Sequence, residues 1–159
     1  MKTTRLLLAL AALTLLGACT HPTSQLSADA IVLRSPDAQL ELRFDVVKGV
    51  PEYSLSRSGE AVILPSRLGF SLMGRDGLTE GFTLTGSSFD SLDETWEPVW
   101  GEEAQIRNHY NELLVHLKQN SGAAMDIRFR LYDDGLGFRY EFPMENKLTY
   151  FKEIGRAHV

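Results

Sequence analysis

The sequence predicts an all-β domain of antiparallel strands, folded as a sandwich or a barrel. Apolar and polar residues alternate in several short stretches after residue 30, the pattern of strands that bury one face. Glycine-containing turn signals separate these stretches, and the sequence after the first 30 residues contains no capped amphipathic helix of useful length. Many short strands with glycine-rich turns are typical of sandwiches and barrels.

The first predicted strand begins at Ile31, and the clearest early strand covers residues 40–46. That stretch alternates throughout, with apolar side chains on one face and charged side chains on the other. The apolar set is Leu40, Leu42, Phe44 and Val46. Further strands are predicted at residues 52–57, 61–64, 68–73, 81–87 and 112–119. The turn signals between strands are Lys48-Gly49, Ser58-Gly59, Arg75-Asp76-Gly77 and Asn120-Ser121-Gly122.

A hairpin is predicted near the end of the domain. Residues 125–131 and 138–142 both alternate between apolar and polar side chains, and they meet at Asp133-Asp134-Gly135. Asp-Gly supplies the positive φ angles that a tight hairpin turn demands. We therefore expect these two stretches to pair as antiparallel strands.

Residues 88–111 do not follow a strand period throughout, so they are predicted to form a structured loop. Aromatic and hydrogen-bonding side chains are dense in the second half of this segment. Sugars need that combination, because a ring stacks on an aromatic face while hydroxyls bond to amides, carboxylates and guanidinium groups. The candidate residues for binding substrate, or for supporting the groups that do, are Trp100, Arg107, Asn108, His109, Tyr110 and Asn111.

A packing interpretation of the same segment competes with the functional one. Trp96 and Trp100 would fill the sandwich core, since tryptophan is highly buried on average. Arg107 would pair with a carboxylate, and with Asn111 it would satisfy backbone groups of the loop. The core interpretation is preferred for Trp96, and both interpretations stay open for Trp100.

The start of the chain has the composition of an export signal. Lys2 and Arg5 precede an apolar run at residues 6–16, which is too short to span a bilayer comfortably. The run ends in Leu16-Gly17-Ala18-Cys19, which resembles the bacterial lipobox. We therefore predict a lipoprotein signal peptide over residues 1–18 and lipidation of Cys19, with plain secretion as the alternative.

Three further segments complete the predicted organisation. Residues 19–30 are polar and are expected to form a flexible tether, and residues 31–153 form the β domain. Residues 154–159 correspond to the translation of a common sequencing-adapter stretch, so a non-native tail is expected there. The alternative for this tail is a genuine, flexible terminus.

Composition excludes one function class. The formal net charge is −5 and the sequence pI is about 5.4, with the two signs well mixed after residue 30. Nucleic-acid binding needs a basic face that neutralises phosphates, and the sequence contains none. No nucleic-acid partner is therefore expected.

Two long stretches carry a family resemblance. They are Phe89-Asp90 through Trp96-Glu97-Pro98-Val99-Trp100-Gly101-Glu102-Glu103 and on to Leu113, and Phe129 through Pro143, which includes Tyr132-Asp133-Asp134-Gly135. Both are similar to the N-terminal domain of glycoside hydrolase family 97. Weaker agreement at Ser35-Pro36-Asp37 and at residues 65–69 extends the resemblance over most of residues 31–153.

The resemblance implies an antiparallel β-super-sandwich of the galactose-mutarotase type, which precedes a catalytic (β/α)8 barrel in the complete enzyme. It implies an α-glucosidase or α-galactosidase of the bacterial cell envelope that acts on α-linked oligosaccharides. The lipid anchor predicted at Cys19 would hold this enzyme at the membrane. The barrel would be the main partner of this domain. Calcium is implied as a cofactor of the complete enzyme, and no calcium ligand of the family maps onto this chain.

The residues themselves offer no catalytic pair and no metal site. Glycoside hydrolysis needs two carboxyl groups across the scissile bond, whereas Asp93-Glu94, Glu102-Glu103 and Asp133-Asp134 are adjacent pairs that a strand would point to opposite faces. The fragment is therefore expected to lack the catalytic domain of the enzyme. The leading function is an accessory, carbohydrate-binding domain that helps to build the active-site mouth. The alternative is a stand-alone carbohydrate-binding or structural envelope lipoprotein.

Overall fold

The computed structural model describes residues 26–27, 29–72 and 77–143, together with the backbone of residues 151–153. Within these residues all regular structure is β, and every strand pairing is antiparallel, as predicted. The strands are Ile31–Arg34 (β1), Leu40–Val47 (β2), Val50–Arg57 (β3), Glu60–Arg67 (β4), Phe70–Leu72 (β5), Phe82–Trp96 (β6), Ile106–Gln119 (β7), Ala124–Leu131 (β8), Leu136–Glu141 (β9) and Phe151–Glu153 (β10).

The predicted signal peptide at residues 1–18, Cys19, most of the 19–30 tether and the 154–159 tail lie outside the described residues. So do Arg75 and Asp76 of one predicted turn. Within the part of the chain that the structure describes, no helix is long and apolar enough to cross a membrane. Because Cys19 lies outside the described residues, the lipid anchor stays a prediction.

The first sheet contains β1 to β4 in sequence order. Its two inner hairpins turn at Lys48-Gly49 and Ser58-Gly59, between the directly paired ends of the strands. All four turn residues have positive φ angles, of 52°, 82°, 50° and 88° in chain order. Two-residue loops with this conformation match the twist of paired strands. They set the register of β2 with β3 along the whole ladder, whereas the register of β3 with β4 shifts between Ser56 and Tyr53.

The second sheet contains β6 to β9 in sequence order, and a small third sheet pairs β5 with β10. The predicted hairpin at Asp133–Gly135 is confirmed, because Leu131 pairs with Leu136. The predicted backbone conformation is wrong, since neither Asp134 nor Gly135 has a positive φ. Four residues rather than two connect the strands, and the amide of Tyr132 donates to the carbonyl of Gly135 at 2.8 Å. A longer loop reverses the chain without left-handed residues.

The two larger sheets pack face to face around one apolar core. The Phe44 ring lies 5.7 Å from that of Phe129, and the Tyr53 ring lies 5.7 Å from that of Phe138. The predicted inward face of β2 is confirmed at Leu40, Leu42 and Phe44, and Val46 packs partly buried against the core. The second sheet contributes to this core Phe82, Leu113, Val115, Leu117, Met125, Ile127, Phe129 and Leu131.

The prediction of a loop at residues 88–111 is wrong. Strand β6 extends to Trp96 and β7 begins at Ile106, so only residues 97–105 connect them. A bulge between Leu84 and Gly86 shifts the register of β6, and most side chains after Phe82 are exposed on both faces. An exposed strand needs no apolar alternation, which is why the pattern is missing from the sequence.

The core contact at Phe129 gives a first prediction. Phe129→Ala should lower the free energy of unfolding by about 3–5 kcal/mol, because it removes a fully buried ring and leaves a cavity. Urea unfolding followed by circular dichroism measures this. The matched control is Phe89→Ala, a ring that is 59% exposed, which should cost no more than about 0.5 kcal/mol in this chain. Equal effects of the two substitutions would contradict the assignment of the core.

Candidate functional site

Strands β6 and β7 project beyond the sandwich as a two-stranded arm. Pairing between β7 and β8 begins at Asn111, whereas pairing between β6 and β7 continues to Ile106 and Trp96. Strands rise about 3.4 Å per residue, so the arm extends roughly 17 Å past the last pairing with β8. We define the arm as Leu92–Trp96, residues 97–105 and Ile106–Tyr110.

The candidate site residues on β7 divide between the two faces of this arm. Successive side chains of a strand point to opposite faces, and Leu113 on β7 faces the core with no exposed surface. Arg107, His109 and Asn111 therefore continue the core face, whereas Asn108 and Tyr110 lie on the opposite face. The five consecutive polar and aromatic residues are thus divided between two faces of the arm, and their role in binding stays a prediction.

On the core face, Arg107 and Asn111 bond to other groups of the protein, and His109 lies near a carboxylate without a hydrogen bond to it. Arg107 donates two hydrogen bonds of 2.8 Å to the carboxylate of Asp93, which holds the pKa of Asp93 below its usual range and raises that of Arg107. The carboxylate partner expected for Arg107 is thus confirmed. His109 Nδ1 lies 4.0 Å from Asp133, and Asn111 donates to the carbonyl of Arg34 at 2.8 Å. Asn111 thereby ties the base of the arm to the first sheet.

On the opposite face, Tyr110 belongs to a cluster around a buried carboxylate. Glu112 is 6% exposed and accepts hydrogen bonds from Arg128 and from Arg130, the latter at 2.7 Å. The guanidinium of Arg130 lies 4.5 Å from the centre of the Tyr110 ring, and the ring of Tyr132 lies 5.3 Å from that of Tyr110. Charge pairing and cation–π contact both stabilise the buried Glu112 carboxylate and the position of Arg130.

The same cluster extends to β9 through Glu141. Arg128 donates to both oxygens of Glu141, at 2.7 and 3.1 Å, and Arg139 donates at 2.8 Å. The hydrogen bonds from Arg128 lower the pKa of Glu141 to about 2, and those to Glu141 raise the pKa of Arg128. The alternation of residues 125–131 and 138–142 predicted which side chains face the core, and it did not reveal this cluster on the other face. The cluster could be predicted by pairing the two strands through the turn at Asn120, because this pairing sets Glu112 opposite Arg130.

Both tryptophans are exposed, so the core interpretation of Trp96 is wrong and that of Trp100 is excluded. Trp96 is 49% exposed, and Trp100 in the connecting segment is 88% exposed. Val99 is 99% exposed, and Ile106 is 37% exposed. The tip of the arm therefore presents large apolar side chains to solvent. Below the tip, the side-chain amide of Asn108 donates a hydrogen bond of 3.1 Å to the carboxylate of Glu94 on β6.

A groove of about 710 Å³ runs between the first sheet and β6, at the base of the arm. The groove is lined by Val32, Leu33, Arg34, Glu41, Arg43, Phe89, Asp90, Ser91 and Asn111. Of these residues, Asn111 alone belongs to the candidate site residues predicted from the sequence. A smaller cavity of about 190 Å³ lies over Arg128, Arg130 and Tyr132. Among the described residues, no group of three or more His, Cys, Asp or Glu is placed to hold a metal ion.

Comparison with known proteins identifies the family. Residues 33–156 match the family described as Glycosyl-hydrolase 97 N-terminal. The chain belongs to glycoside hydrolase family 97. It corresponds to the N-terminal domain of the family 97 enzymes, as the resemblance implied.

Two curated relatives from bacteria are similar to this family 97 chain. A retaining α-galactosidase of Bacteroides thetaiotaomicron is 29% identical over 129 residues, which cover 80% of this chain and 19% of the relative. A probable retaining α-galactosidase of Streptomyces bingchenggensis is 31% identical over 108 residues, which cover 68% of this chain and 16% of the relative. The chain thus spans less than a fifth of the length of these curated relatives.

Solved structures share the same fold. A family 97 enzyme from Pseudoalteromonas sp. strain K8, solved with panose and with acarbose, superposes with a TM-score of 0.73 at 28% identity. The match covers 79% of this chain and 20% of that enzyme. A β-arabinopyranosidase superposes with a TM-score of 0.66 at 30% identity, covering 73% of this chain and 18% of that enzyme. These matches support the predicted all-β sandwich.

The ion pairs of Glu141 predict a pH dependence of stability. Because the pKa of Glu141 is lowered from 4.5 to about 2 in the folded protein, its stabilising effect is present above pH 4.5 and is lost as the pH falls towards 2. Glu141→Gln should therefore reduce the decrease in melting temperature between these two pH values. Thermal unfolding followed by circular dichroism measures the slope.

The matched control for this experiment is Glu102→Gln, in the exposed segment between β6 and β7. It should keep the slope of the unmodified chain. If Glu141→Gln kept the slope too, the ion pairs with Arg128 and Arg139 would not stabilise the fold.

Proposed function

We propose that this domain is the N-terminal accessory part of an exported bacterial enzyme that hydrolyses α-glucosides or α-galactosides. Its family membership supports this, together with the α-galactosidase activity named for both curated relatives. The ligands named for the Pseudoalteromonas enzyme, panose and acarbose, favour α-linked oligosaccharides as the substrate class. The β-arabinopyranosidase neighbour keeps the exact sugar open.

Within that enzyme, the arm is proposed to help form the mouth of the active site. The observation that carries this is the exposure of Trp100, at 88%, on a ribbon that projects away from the sandwich. An indole exposed to solvent at the end of a paired ribbon is suited to stacking on a sugar ring. Arg107 is less suited to direct contact, because Asp93 already occupies two of its donors.

The catalytic residues, the calcium ion and the lipid anchor are assigned to the complete protein rather than to the described residues. The carboxylates described above are engaged in ion pairs or hydrogen bonds, such as Asp93 with Arg107 and Glu112 with Arg128. A hydrolase of this kind needs an acid and a nucleophile or base across one glycosidic bond. We propose that the remaining chain supplies them, with calcium as the cofactor.

The activity is tested on the polypeptide that the whole gene encodes. It should release nitrophenol from a nitrophenyl α-glucoside or α-galactoside, and the 159-residue chain alone should release none, because it lacks a catalytic pair. A whole polypeptide that is folded and inactive on both substrates would overturn the proposed function.

The role of the arm is tested by Trp100→Ala in the whole polypeptide. Loss of one stacking contact, worth about 0.5–1.5 kcal/mol, should raise KM for an oligosaccharide roughly 2- to 10-fold while the melting temperature stays the same. The matched control is Val99→Ala, an equally exposed neighbour that offers no ring, and its KM should not change. A lower melting temperature with unchanged kcat/KM would instead indicate a packing role.

The lipid anchor is tested by Cys19→Ser. The variant should move from the membrane fraction to the soluble fraction of the cell envelope, because the proposed anchor is attached to that thiol. Immunoblotting of both fractions measures the change. Thr20→Ser is the control that keeps the cysteine. Equal partitioning of all three proteins would favour plain secretion.

A further inference from the structure

The sandwich is open on the side where β1 and β6 lie. Phe89 pairs with Leu113 across β6 and β7, so both side chains point to the core side of the second sheet. Leu113 has no exposed surface, whereas Phe89 is 59% exposed. An apolar ring that faces the core side and still meets solvent marks a place where the core is not covered.

Strand β6 also leaves its outer edge free of the described strands. It pairs with β7 on one side, and no other described strand lies beside it. The amide of Gln119 donates to Ala123, so the odd-numbered residues of β7 bond to β8 and the even-numbered ones bond to β6. After the bulge, the even-numbered residues of β6 therefore bond to β7, and the odd-numbered ones point outward.

One contact supports this assignment directly. The amide of Ser91 donates to the side chain of its own neighbour, Asp90, at 2.8 Å. An amide within a paired ladder would donate to the next strand instead. The outward groups of β6 thus form a regular row at Ser87, Phe89, Ser91, Asp93 and Thr95.

The stretch of β6 after its bulge carries Asp90, Asp93 and Glu94 but lacks the commonest protection of an edge strand. Natural proteins blunt exposed edge strands with lysine, proline or a very short strand. Strand β6 has 15 residues and contains no Lys, Arg or Pro. Its edge borders the groove of about 710 Å³, across which lie Leu33, Arg34 and Arg43 of the first sheet. There is room between the two sheets for a further segment of chain.

We propose that β6 accepts a further β-strand, supplied by the part of the family 97 polypeptide outside this chain, and that this strand covers Phe89. The chain spans 19% and 16% of its two curated relatives, so a long polypeptide is available to supply it. The added strand bonds through its main chain to the outward groups of Ser87–Thr95. This inference rests on family membership and is independent of the proposed activity.

Hydrogen–deuterium exchange with residue-level resolution tests the proposal, in the 159-residue chain and in the whole polypeptide. The amides of Phe89, Ser91 and Asp93 should exchange about 100-fold or more slowly in the whole polypeptide than in the chain. The neighbouring amides of Asp90 and Leu92 bond to β7, so they should be protected in both proteins. They are an internal control within the same strand.

Three outcomes would overturn the proposal. Equal, fast exchange of the odd-numbered amides in both proteins would mean that no strand is added. Equal, slow exchange in a monomeric short chain would mean that its own segments already cover the edge. Slow exchange in the short chain that depends on protein concentration, with fast exchange in the whole polypeptide, would identify a second copy as the occupant. None of these readouts requires turnover of a substrate.

A pair of substitutions gives a second measurement. Ser91→Pro removes an outward amide, so it should lower the melting temperature of the whole polypeptide more than that of the short chain. Ser91→Ala keeps the amide and should leave both proteins unchanged. Equal destabilisation of both proteins by Ser91→Pro, with unchanged exchange at Phe89, would count against an added strand.

Discussion

The contact of Phe129 with Phe44 and Tyr53 holds the two main sheets together. Phe129 lies in the middle of β8, and its ring approaches both partners within 6.3 Å. Once β8 is fixed by this contact, the ladder to β7 determines which face of β7 is buried. The alternation of β7 then continues past the sandwich into the arm, where no core remains to bury it. The direction of Arg107 and His109 is thus set by packing that lies several residues away.

The sequence predicted the parts of the fold that bury one face of each strand. Leu42, Phe44, Ile127 and Phe129 are fully buried, and they belong to the stretches with the clearest alternation. The arm was missed for the same physical reason. Most side chains of β6 after Phe82 are exposed on both faces, and the bulge before Gly86 resets the period of this strand, so apolar alternation could not reveal it. Main-chain pairing and the polar contacts of Arg107 with Asp93 and of Asn108 with Glu94 hold this ribbon together, and neither produces an apolar period in the sequence.

The candidate site was predicted less well, because adjacency in sequence differs from adjacency on a strand. Asn108 and His109 are neighbours in the chain, yet they lie on opposite faces of β7. The cluster around Glu112 shows the converse, since Arg128 and Arg130 come from another strand. Their pairing required the register of β7 with β8, which depends on the turn between them. Both strands and the turn are predictable from the sequence, and the register follows only when the three are combined.

The arm allows residues 97–105 to change in length independently of the sandwich core. Residues 97–105 are joined to the core only through the ladder of β6 and β7, so insertions or deletions in this segment alter the tip without disturbing the packing around Phe129. Selection can therefore vary the tip while the sandwich stays constant. Enzymes that share this sandwich are named for different sugars, galactose in the curated relatives and arabinose in one solved structure. A segment that tolerates length changes at low cost to folding is a natural place for such lineages to diverge.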